Sequence, residues 1–209
     1  MKSLSFGLPA RVFLVAGFML ASVAASAQPA SKGQPTRLRG TVQKLDGDTL
    51  TVLSNANMAI KVMLPPKIQV LGMARRSLSD IKDGEFVGVT AAKGKDGDLH
   101  ATEVHIFPDS MRGAGEGHYA WDVPNTTMTN ATVAGETTAS NGRTLKLAYK
   151  GGQTKIDVSP DTPIVTFVPG DKTLLKPGAA VFVMGTAKPN GTIDAFSVTA
   201  EKNGVKPPM

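Results

Sequence analysis

The sequence predicts an all-β protein of two tandem five-stranded barrels joined by an ordered linker and preceded by a cleaved signal helix. Three observations predict it. Short apolar–polar alternations of period two recur along the chain, each stopped by Gly, Pro, Asn or Asp. A strand-and-turn pattern returns at a near-constant spacing. The first 27 residues differ in composition from the rest.

Those residues read as an export signal. Lys2 and Arg11 supply the positive start, Val12 to Val23 the apolar stretch, and Ala25-Ser26-Ala27 a small-residue cleavage site before Gln28. The apolar run is shorter than the roughly 20 residues of a bilayer-spanning helix, and no later stretch is long and apolar enough to span. The expectation is a Sec-exported protein, periplasmic or secreted, and not transmembrane once the signal is cleaved. The formal charge of +6 falls to +4 when Lys2 and Arg11 leave. That charge is spread along the chain, so a nucleic-acid interface is not expected. Arg75 and Arg76, with Arg37 and Arg39, read as solvated surface. The chain has no cysteine, which excludes disulfides and thiolate metal sites.

Residues 28–36 form a polar Pro/Gly leader. The first barrel is expected over 37–107. Leu38–Leu45 alternates and ends at the hairpin pair Asp46-Gly47. Thr49–Val52 is half-buried in pattern. Ala59–Leu64 is a third strand, stopped by Pro65-Pro66. Residues 67–84 read as irregular, with a helical turn at Leu78–Ile81. Phe86–Thr90 and Leu99–Phe107 complete the set around Asp96-Gly97. A three-strand meander, a link and a hairpin is the strand order of an OB-type barrel. The second copy is expected over 129–202, with a tail at 203–209. Val87 and Val89 return as Val181 and Val183, Leu99 as Ile193, and Val104 as Val198. Asn141-Gly142 stands where Asp46-Gly47 stood.

The layout resembles a family of exported bacterial proteins of unknown function built from small OB-like barrels. The resemblance rests on Gly40-Thr41-Val42, Asp48–Val52, Ile81–Val89 and Gly97–Val104, and on Asn190–Ala195 in the second copy. It implies the fold and export but no catalytic residues. The central stretch is similar to sequences labelled as metal-transporter permeases. This chain lacks a permease's helices, so that likeness implies at most a soluble accessory.

The linker, 108–128, concentrates the unusual residues. It holds the only Trp and one of two Tyr. Tyr119 and Trp121, at i and i+2, fall on one face of an extended segment and are expected to contact a ligand or the other barrel. Glu116, His118 and Asp122 are the candidate ligands for a divalent transition metal, as imidazole plus carboxylates suits zinc, nickel or copper. His100 and His105 read as surface histidines that share a face only if a bulge intervenes. No nucleophile–base motif is present, so the chain is expected not to be an enzyme. The leading expectation is a non-catalytic binding or adaptor protein with an envelope protein or glycan as partner. The alternative is a soluble metal-handling accessory.

Overall fold

The computed structural model describes residues 33–139 and 142–207. The expected signal helix, most of the expected leader and Asn141 of the expected second hairpin lie outside the described residues. Thirteen strands follow one another: β1 (Gln34–Asp46), β2 (Thr49–Ser54), β3 (Ala59–Met63), β4 (Val70–Arg76), β5 (Phe86–Lys93), β6 (Leu99–Ile106), β7 (Gly117–Ala120), β8 (Thr126–Ala139), β9 (Gly142–Tyr149), β10 (Gly152–Val158), β11 (Ile164–Pro169), β12 (Ala180–Ala187) and β13 (Ile193–Ala200). Three single 3₁₀ turns, at Leu78–Asp80, Asp109–Met111 and Lys172–Leu174, are the only helical elements among the described residues. The protein is all-β, as its alternation predicts.

The strands close into a five-stranded barrel, but not from consecutive strands. β1 pairs with β2 and β2 with β3. β3 then meets β13, β13 pairs with β12, and β12 returns to β1. The other half of the sheet has the same ring order: β8, β9, β10, β6, β5 and back to β8. The parallel contacts correspond. Met63 faces Asp194 in the first ring, and Asp157 faces His100 in the second. Each ring therefore takes three strands from one half of the sequence and two from the other. This corrects the expectation that each run of consecutive strands closes on itself.

The exchange runs through a segment read from sequence as irregular. β4 is a strand. It lies parallel to β13, from Val198↔Val70 to Ala200↔Gly72, and antiparallel to β11 over six residue pairs. β11 in turn lies parallel to β6. Pro65-Pro66 stops β3, and β4 crosses to the other half instead of turning back. It delivers Ile81, 1% exposed, into the core of the second ring, and β11 delivers Leu175, 2% exposed, into the first. Backbones approach closely at this crossing. A Cβ on Gly170 would stand 3.1 Å from the Gly72 nitrogen and 3.2 Å from the Val70 oxygen.

The two cores follow the strand exchange. One joins Leu38, Val42, Leu50 and Val52 to Val181, Val183 and Val198. The other joins Val87, Val89 and Val104 to Leu145, Leu147 and Ile156. Each fully buried Val or Leu contributes about 1.5–3 kcal/mol relative to exposure, so each ring depends on both halves of the chain. β1 begins at Gln34, so the end of the leader is strand as well. Val205 of the tail makes an isolated bridge with Lys202.

Candidate functional site

The outer faces of the two rings enclose a cleft of about 270 Å³. Its walls are built from corresponding positions. In the first ring Arg39 faces Phe182 and Arg37 faces Met184. In the second, Asn130 faces Gly88 and Met128 faces Thr90. The counterpart of Phe182 is thus a glycine. A Cβ on Gly88 would meet Asn130 Oδ1 and the Phe107 ring, both at 2.7 Å. The missing side chain helps leave the cleft open.

Aromatic rings line one wall. Phe107 lies 5.5 Å from Phe167, and Phe167 lies 5.2 Å from His105. Tyr119 and Trp121 enter together from β7 and the residue after it, with ring centroids 6.2 Å apart. Burial pushes the Tyr119 phenol above its ordinary range, with the Arg37 charge opposing, so the hydroxyl stays protonated. It donates weakly to the Gly115 carbonyl at 3.3 Å.

Two cations cross the cleft. The Arg37 guanidinium lies 4.3 Å from the Trp121 ring centre, and that of Arg39 4.6 Å from Phe182. Arg39 also donates to both carboxylate oxygens of Asp122, at 2.5 and 3.1 Å. This fork anchors the end of the β7 segment to β1. Arg39 Nε is nevertheless buried without a hydrogen-bond partner. On the opposite wall Asn130 donates to the carbonyls of Ala114 and Gly115 and to Tyr119 Oη, while its Oδ1 is also buried and unpartnered. An unpartnered donor and an unpartnered acceptor thus stand at corresponding positions on the two walls. Burying such groups unmet costs about 1–3 kcal/mol each, a cost a matching ligand would remove.

The structure does not bring the three candidate metal ligands together. β7 pairs with β8 so that His118 faces Thr129 and Tyr119 faces Met128. Period-two alternation turns His118 away from the aromatic face, and its Nδ1 lies 2.7 Å from Thr129 Oγ1. Glu116 accepts from the Lys150 backbone N–H at 3.0 Å. Asp122 is held by Arg39. Among the described residues no three His, Asp or Glu side chains gather into a metal-sized group.

His105 departs from its sequence expectation. A bulge makes Thr102 the extra residue between Glu103↔Thr90 and Ala101↔Ala91, and it brings His100 and His105 to the same outward face. At His105 that face packs against Phe167 of β11, and the residue is 7% exposed with Nε2 2.7 Å from Glu103 Oε1. His100 stays exposed beside Asp96.

Sequence reasoning missed Arg37, Arg39, Gly88, Asn130 and Phe182 as cleft residues. One signal was present: the repeat sets Gly88 against Phe182, a large volume difference at one position. Compared with protein-family models, curated protein sequences and solved structures, the chain gives no significant match.

Proposed function

We propose that this chain is a non-catalytic, exported binding or adaptor protein built on two OB-type rings, and that its cleft holds a compact planar group of an envelope partner. The ring order, with strand three parallel to strand five and strand one beside strand four, supports the OB-type description. The unpartnered pair, Arg39 Nε–H and Asn130 Oδ1, carries the binding proposal. A group presenting one acceptor and one donor on an apolar body would satisfy both and stack on the aromatic wall. An amide on a ring has that shape. A few placed polar atoms in an apolar cleft is the usual composition of a binding site.

Trp121 is the only tryptophan, so its emission reports on the cleft. Titration with benzamide, benzoate and toluene tests the proposal. Benzamide should change the emission saturably at about millimolar concentration, as expected for so few atoms. Toluene, lacking both polar groups, should bind more weakly. Equal response to benzamide and toluene, or none to either, contradicts the proposal. Export has its own test: N-terminal sequencing of the protein from the cell envelope should begin at Gln28, and a start at Met1 counts against it.

A further inference from the structure

We infer that the outer edge of β1 at Pro35–Arg39 is a docking edge for an extended acidic peptide that places a carboxylate opposite Arg37. The second ring supplies the template. The entry half of β8 has β5 on one side and β7 on the other, with Tyr119↔Met128 and Gly117↔Asn130 paired. The Trp121 N–H extends that ladder to the Thr126 carbonyl at 2.9 Å. The corresponding half of β1 has β12 on one side, from Gln34↔Ala187 to Arg39↔Phe182, and no strand on the other among the described residues.

The backbone of this edge is set for pairing. The Arg39 carbonyl accepts from the Asn55 N–H at 3.3 Å, so it faces away from β12. Alternation then turns the Arg37 N–H and C=O and the Pro35 C=O to the same free side. Proline lacks the N–H that would need a partner there. An added strand would satisfy these groups as β7 satisfies Met128 and Asn130.

Charge names the occupant. Where β8 presents Met128 and Asn130 to β7, β1 presents Arg37, together with Arg39 already held by Asp122. Residues directly opposite each other on paired strands share a face. Arg37 stacks on Trp121 through its plane and makes no ion pair among the described residues. Its N–H groups remain for a carboxylate from the residue opposite. This inference is separate from occupancy of the cleft: one is read at the Arg37 backbone amide and the other in Trp121 emission.

Amide hydrogen exchange on the whole protein tests it, using capped pentapeptides Thr-Glu-Val-Glu-Thr and Thr-Lys-Val-Lys-Thr as probes. The Arg37 amide should exchange freely alone and slow about ten-fold once some 90% of the protein holds the acidic peptide. The Leu38 amide, facing β12, should be slow throughout. Arg37→Glu should reverse the preference toward the lysine peptide, with the Leu38 amide reporting that the fold persists. No slowing at Arg37, or equal slowing by both peptides, overturns the inference. Protection without peptide overturns it too. If it grows with protein concentration, a second copy holds the edge. If it disappears on removal of residues 1–27, the chain's own start holds it.

Discussion

Met63→Cys combined with Asp194→Cys should form an intramolecular disulfide, whereas Met63→Cys combined with His100→Cys should not. The chain contains no cysteine, so the background is clean. In the exchanged topology Met63 lies beside Asp194 on neighbouring parallel strands. Such strands lie about 4.8 Å apart, within the range of about 4.4–6.8 Å that a disulfide spans between Cα atoms. If consecutive strands closed on themselves, the partner of Met63 would be His100, the counterpart of Asp194. His100 instead faces Asp157 in the other ring. The bond closes a loop of more than 100 residues, for which chain entropy sets an upper stabilisation near 4.7 kcal/mol and practice about 2–4. The Asp194→Cys change removes an ion pair with Lys188 at 2.7 Å. That pair is roughly half exposed and worth about 0–1 kcal/mol. A net gain of about 2–3 kcal/mol should raise the melting temperature by roughly 5–10 °C. Non-reducing electrophoresis and thermal melting with and without reductant read both quantities. A disulfide in the Met63→Cys, His100→Cys pair and none in the other refutes the exchange.

Three other changes test the account. Gly88→Ala should abolish the benzamide response while costing about 1–3 kcal/mol of stability, since its Cβ meets Asn130 and Phe107 at 2.7 Å; unchanged benzamide affinity would place the ligand elsewhere. Ile81→Ala and Leu175→Ala should each cost about 2–5 kcal/mol in denaturant unfolding, because each is carried across into the opposite core; losses below 1 kcal/mol would contradict those placements. The hydrogen bond that the His100 ring donates to the Asp96 carboxylate raises the His100 pKa above its ordinary 6.5, and the Asp96 carboxyl is correspondingly lowered. The contribution from His100 is full below 6.5 and lost as pH rises through the raised value. That of Asp96 is lost on acidification through its lowered value, so the pair acts between the two. NMR titration of His100 should show a midpoint that falls on Asp96→Asn; an unmoved midpoint removes that cause.

Local structure was legible in the sequence where it is written locally. Alternation placed most strands, and Asp46-Gly47 and Asp96-Gly97 marked hairpins. The residues that fill the cores carry the expected apolar period. Strand partnership was not legible. Two halves with the same pattern offer nearly the same pairing edges, so either closure satisfies the alternation equally. The choice is made at β4 and β11, where Gly170, just after β11, permits close approach to the Val70–Gly72 backbone of β4. The composition of β4, Val-Leu-Gly-Met-Ala-Arg-Arg, does not alternate cleanly, and neither does its burial, since Val70, Gly72 and Met73 are all buried. The site divides the same way. Tyr119 and Trp121 stood out by rarity, and period two put them on one face. Glu116, His118 and Asp122 were grouped by nearness in sequence, which β7 undoes by turning His118 to its other face and by giving each a separate partner. Arg39 and Asn130 look ordinary in sequence and become notable only when both walls are folded around them.

The most direct measurement follows the Arg39 Nε–H resonance by chemical shift as benzamide is added to saturation. Arg39 Nε is buried beside the cleft without a hydrogen-bond partner, so its resonance should shift saturably with benzamide, and Asn130→Leu should weaken the binding. An Nε–H resonance unmoved at saturating benzamide would contradict the proposed site and leave the cleft as packing alone.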